Sequence, residues 1–401
     1  MQLFLAPSRR GLSRAGFIAL CVIGGATAAL CHAAPRTPGA DTEVLERLPL
    51  RPGDEATRAF RTLRQALAKT PTDASAASAL AQAYFDQAMA KGDPRYIGYA
   101  EAVVRPFAST MTADLLLVRG QLRQYRHQFE EALEDFSSAL RLDPQQAQAQ
   151  AWRGAIFLVQ ANYPAAQQAC QALRDLAQRA LAGACQGLLQ AYTGNLQAAQ
   201  ATLQLALQAS PAPENQLWLL TRLGEVASWR GQAAQAEQHF KAALKLGLDD
   251  GYLLAAWSDF LLDAQRPAEV VALLAPWESS DGLLLRLAEA GTLLKLPAAS
   301  RHVQALANRF DAARLRGDAT HRAEEARFEL RLRGNPQAAL VMAKANYAVQ
   351  REPRDARILL EAALAAKDPA GAQAALDWLR SSGFQDPHML ALAKDLNLKT
   401  P

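Results

Sequence analysis

Isoleucine occurs five times and valine twelve times in 401 residues, and aromatic residues make up 7% of the chain. So few β-branched and aromatic side chains exclude a strand-rich sandwich or barrel. Charge of one sign is also scarce. The formal net charge is +4, and Arg9, Arg10 and Arg14 supply three of those charges from a stretch, residues 1–34, that holds no acid. A nucleic-acid partner would need a dense basic stripe, which is missing. The usual marks of catalysis are missing as well: there is no G-x-x-x-x-G-K-[ST] phosphate loop, no G-x-S-x-G elbow and no H-E-x-x-H zinc helix. After the leader the histidines are His127, His239, His302, His321 and His388, and no two are four residues apart on one helical face. They read as surface residues, so neither a metal nor a cofactor is expected.

Alanine, leucine and glutamine fill the chain instead, and all three favour helices. The first 34 residues read as a secretory signal peptide. A basic stretch precedes an apolar run from Ala15 to Leu30, and small residues at Ala33 and Ala34 offer a cleavage point. Residues 35–53 are rich in proline and charge and read as a flexible linker. The mature chain is then expected in the periplasm or secreted, with no integral membrane span. Cleavage leaves Cys170 and Cys185. In an oxidising compartment they could pair, closing a short loop worth up to about 3 kcal/mol, or remain two buried small hydrophobes.

From about Asp114 the chain repeats. Gly120 is followed at +12, +16, +19 and +24 by Ala132, Phe136, Ala139 and Pro144. The same offsets from Gly154 give Ala166, Cys170, Leu173 and Gln178; from Gly187, Ala199, Leu203, Ala206 and Pro211; from Gly224, Ala236, Phe240, Ala243 and Leu248. Each unit reads as two helices and a tight turn. Glycine in a helix interior costs about 1 kcal/mol relative to alanine, so its recurrence calls for a close helix crossing, here assigned to glycine and the alanine twelve residues on. Phe136 and Phe240 are expected between one pair and the next. Leucine at Gly120 or Ala132 would overpack the crossing by about 1–3 kcal/mol.

These residues resemble the tetratricopeptide repeat, a helix–turn–helix unit of 34 residues. The resemblance covers 113–250, weakens over 251–282, and returns near the C-terminus at Glu329, Val341, Ala345, Ala348 and Pro353. It implies an all-α fold, a right-handed α-solenoid of stacked pairs over 54–316 and further repeats over 321–401, and the Gly-Asp-Ala-Thr segment at 317–320 reads as a hinge between them. The resemblance also implies a concave groove faced by the first helix of each pair. The expected partner-binding residues are Gln121, Tyr125, Trp152, Leu188, Tyr192, Arg222, Glu225, Trp229 and Asp259, a mostly apolar and aromatic set. Of the residues with which some members of the family clamp a C-terminal carboxylate, only Arg222 stands in place.

The sequence therefore reads as a non-enzymatic scaffold or adaptor of the cell envelope that binds a peptide or helix of another protein. The rival reading is a glycan-active envelope enzyme or its accessory subunit, on the strength of Glu278-Ser279. A self-stacking array is a third reading. The acidic runs at Glu130-Glu131 and Glu324-Glu325 read as solvated helix faces.

Overall fold

The structure is a computed structural model that describes residues 40, 42 and 55–396. The leader and almost all of the linker lie outside the described residues. Helix α1 (Glu55–Lys69) stands first, and nine helical pairs follow. They are α2 (Ala74–Lys91) with α3 (Arg95–Val104), α4 (Ala113–Tyr125) with α5 (Phe129–Leu142), α6 (Ala147–Val159) with α7 (Tyr163–Asp175), and α8 (Arg179–Tyr192) with α9 (Leu196–Gln208). Next come α10 (Pro213–Trp229) with α11 (Ala233–Leu244), α12 (Gly251–Asp263) with α13 (Pro267–Leu274), and α14 (Asp281–Leu293) with α15 (Ala299–Leu315). The last two pairs are α16 (Arg322–Arg331) with α17 (Pro336–Tyr347) and α18 (Pro353–Ala366) with α19 (Gln373–Ser382), and α20 (Pro387–Asp395) follows. No strand occurs among the described residues. Each first helix packs on the next first helix, from α2 on α4 through to α18 on α20. That stacking makes the molecule an α-solenoid.

Local chemistry sets the helix ends. Asp73, Thr112, Asn162, Asp250, Asn335 and Asp386 each accept a hydrogen bond from a backbone amide in the first turn of the helix they precede. Proline occupies the start of α10, α13, α17, α18 and α20, where its missing amide costs nothing. The turn inside a pair closes on one left-handed residue. Glycine fills that place at Gly194 (φ 80°) and Gly231 (φ 69°), whereas His127 (φ 58°), Ala161 (φ 56°) and Gln265 (φ 58°) adopt it at a steric cost. The segment 91–99 is the end of α2, the turn after it and the opening of α3.

The glycine crossings are tighter than alanine contacts alone would give. A Cβ on Gly120 would lie 2.5 Å from Cε1 of Phe136, one on Gly224 2.8 Å from Phe240, and one on Gly187 2.6 Å from Cγ of Leu203. The residue at +16 thus lies over the glycine of its own pair, rather than between pairs as the sequence reading had it. In the Gly154 unit the +16 residue is Cys170. It is disulfide-bonded to Cys185 on α8, with Cα atoms 5.4 Å apart. Sγ of Cys185 then stands 3.1 Å from where a Gly154 Cβ would be, so sulfur fills the place that an aromatic ring or leucine takes elsewhere.

Successive turns of the spiral touch. Lys91, at the first turn, pairs with Asp249 just ahead of α12 and stands over the ring of Trp277. The amide of Arg351 donates to the carbonyl of Val159 at 2.7 Å, and Nε1 of Trp378 donates to the Tyr163 hydroxyl at 2.6 Å. Trp229 packs edge-on against Phe384 at 5.2 Å. The turns of the early pairs therefore rest on the loops that lead into the later ones. The described residues from 55 to 396 form one compact unit, and the 317–320 segment is a connecting loop within it.

Candidate functional site

Winding this tight converts the concave face into a lumen. A cavity of about 420 Å³ runs along α10, α12, α16 and α18, and the turn after α4 borders it. Of the expected partner-binding residues, Tyr125, Tyr192, Glu225, Trp229 and Asp259 line it. Arg222 lies just behind the wall. Its guanidinium donates to Glu225 at 2.9 Å and stacks 4.2 Å from the Tyr252 ring. Gln121 is buried, with its Oε1 unpartnered. Leu188 is buried in the seam among α8, α9 and α10. Trp152 meets Phe85 edge-on at 5.9 Å between repeats. These three side chains belong to the packing rather than to the lumen.

The wall mixes the expected aromatic and apolar groups, among them Tyr125, Trp229, Tyr252 and Phe260, with charged side chains contributed largely by α16 and α18. Asp259 accepts from Arg286 and Arg327 at 2.7 Å each, and Arg327 also donates to Glu289 at 2.6 Å. Burial pushes the Asp259 carboxyl up, but the two guanidiniums outweigh it and hold the group well below the usual range. Arg357 bridges Asp263 and Glu361, and Arg331 reaches Glu361 at 2.6 Å. Tyr192, 2% exposed, donates from its hydroxyl to Glu352 at 3.3 Å, and burial raises the phenol well above its ordinary value. Asp355 stands behind Glu352. It accepts from Asn346 at 2.8 Å and from the Glu352 amide at 3.1 Å, and burial lifts its carboxyl to about 7.

Other lumen groups are free. Glu324 faces the cavity with no ion-pair or side-chain hydrogen-bond partner among the described residues, and so do Tyr125, His127 and His321. Burial pushes Glu324 up, yet the charges of His321, Arg354 and Arg286 keep it below its ordinary value and ionised. Burial raises Tyr125 to about 12 and lowers His127, so both are neutral near pH 7. Arg354 projects into the lumen with 54% of its side chain accessible while pairing with Glu352 at 2.8 Å. A second cavity, of about 560 Å³, adjoins at His127 and Thr320, beside the 316–320 loop. The Glu324-Glu325 run is therefore no solvated face: Glu324 lines the lumen and Glu325 is 5% exposed. Reading these charges from sequence would have required knowing that α16 and α18 face α10 and α12 across an interior.

Glu278, the residue behind the enzymatic alternative, lies outside both cavities. Bidentate bonds from Arg301 at 2.7 and 2.9 Å hold its carboxyl down to about 2, the opposite of what a general acid needs. His302, expected at the surface, is buried at 5% exposure and stands 3.2 Å from the same carboxylate. No group of three or more metal-ligating side chains stands together among the described residues. No helix there is long and apolar enough to cross a membrane.

No family model matches the chain, and no curated protein matches its sequence. Solved structures do. The APC/C hetero-tetramer Cut9–Hcn1 matches over 85% of this chain and 66% of that one, at 14% identity and a TM-score of 0.50. A tetratricopeptide repeat protein from Parabacteroides merdae matches over 58% of this chain and 91% of its own, at 16% identity and a TM-score of 0.43. Yeast Tom70 matches over 85% and 84%, at 12% identity and a TM-score of 0.42. Identities this low speak to fold alone. The chain has the architecture of a tetratricopeptide-repeat-like α-solenoid.

Proposed function

We propose that the chain is a non-enzymatic scaffold or adaptor, exported to the cell envelope, that holds a segment of a partner protein inside its lumen. The observation that carries this reading is an accessible cavity bearing Tyr125, Trp229 and the unpaired Glu324, in a wall whose other charges are already satisfied. The occupant is an extended segment, since it can follow the lining along α10, α12, α16 and α18. Rigid aromatic rings give such a segment contact area at low entropic cost, and no bond is made or broken.

The test is site-specific photocrosslinking in intact cells. A photoreactive residue replaces Tyr125 in one variant and Leu205, an outward-facing residue 66% exposed, in another. A partner captured from position 125 and not from 205 supports the lumen. Capture from 205 alone would place the partner on the outer face and defeat the proposal. Isolating the crosslinked species from the envelope fraction checks the location at the same time.

A further inference from the structure

Within that reading, we propose that the lumen selects an extended segment carrying a lysine or arginine, whose cationic head lies against Glu324 beside Tyr125. Eight carboxylates and five guanidiniums line the cavity, Arg222 behind the wall adds a guanidinium against Glu225, and Asp355 is raised to about 7, so the balance is modestly negative. Low-dielectric walls around such a cleft focus its field on an entering charge. Seven of the eight carboxylates are engaged. Glu225, Asp259, Asp263, Glu352 and Glu361 meet arginines, while Asp355 and Asp386 accept from backbone amides at 3.1 and 2.7 Å. Glu324 is the exception among the described residues. It is ionised and faces the lumen with no side-chain donor, and a carboxylate in that state gains from a cation that reaches it.

The neighbours favour a cation as well. Tyr125 and His127 both lie within electrostatic reach of Glu324, and both are neutral near pH 7. The cationic side chains acting on Glu324 are His321, Arg354 and Arg286; Glu352 at 2.8 Å and the Tyr252 ring at 5.7 Å occupy Arg354, and Asp259 at 2.7 Å occupies Arg286. Access comes from the adjoining cavity beside the 316–320 loop, which shares His127 and Thr320 with the lumen.

The experiment uses the full chain and three fluorescein-labelled pools of pentapeptides with small neutral flanks and a central lysine, glutamate or leucine, read by fluorescence anisotropy. The lysine pool should bind tightest and weaken with salt. Glu324→Gln should weaken that pool about tenfold and leave the others unmoved. Glu324→Lys should move the preference to the glutamate pool, and thermal unfolding confirms that both variants are folded. A lysine pool no tighter than the leucine pool, or one indifferent to Glu324→Gln, overturns the cationic inference. The lumen reading itself then stands if Tyr125→Ala still weakens whichever pool binds. Failure of all three pools to bind removes both.

Discussion

The block from α4 to α11 and the block from α16 to α20 are built from the same unit and held by different forces. In the first, Gly120, Gly187 and Gly224 each seat the +16 side chain of their own pair, and Phe136, Leu203 and Phe240 are all 1% exposed or less. Its stability is a sum of neighbouring contacts, as expected for a linear array. The second block has its own apolar seam, but it also reaches back across the interior to α7, α8, α10 and α12. Phe384 meets Trp229, Trp378 meets Tyr163, Glu352 meets Tyr192 and Arg357 meets Asp263. The difference teaches that a repeat array with little nonlocal contact in one stretch can be closed by a later stretch. The closure turns an open groove into a lumen that sets charged side chains among aromatic and apolar ones.

The largest way to break this contrast is Phe384→Ala. The ring is 2% exposed and touches both Trp229 and Trp378, so its loss should cost about 3–5 kcal/mol. Because the contact spans the interior, scattering should also show a larger radius of gyration. A variant that is destabilised but no larger would mean that the closing block does not hold the spiral shut. Removing the disulfide is the local counterpart. Cys170→Ser with Cys185→Ser should cost about 3 kcal/mol in urea titration, with dimensions unchanged, since the bridge joins adjacent helices α7 and α8. Expansion of that double variant would blur the distinction between the blocks.

The smallest effect lies at Asp355, whose carboxyl is raised to about 7 from an ordinary value of 3.8. The folded state therefore binds a proton that the unfolded state releases between about pH 4 and 7, and this group's contribution to stability declines as pH rises through that window. Asp355→Asn should flatten the fall in the urea midpoint between pH 5 and pH 8. Equal slopes in the variant and the parent would show that Asp355 does not titrate there. Glu278 has the opposite sign: its depressed carboxyl adds stability above about pH 4.5 that fades as pH falls toward 2.

Much of the first block was legible in the chain. The spacing from Gly120 to Phe136 and from Gly224 to Phe240 is a local fact, and it sets which helices cross and how closely. The partner residues were only partly legible. Tyr125, Tyr192, Glu225, Trp229 and Asp259 reach the lumen because they lie on the inner face of their own helix, a matter of periodicity. Trp152 and Leu188 share that periodicity but are claimed by seams between repeats. Nothing within those helices distinguishes the two outcomes. Glu324, Arg354 and His321 were missed because their importance depends on elements far away in the chain.

By itself, the order of residues determined the helical pairs, their tight crossings and the stacking of each pair on the next, because those interactions act between neighbours along the chain. Only the tertiary structure decided the sign of the interior and the size of its cavity. Those properties depend on how far the spiral turns before it meets itself, an accumulation of small rotations over many pairs that no single repeat encodes.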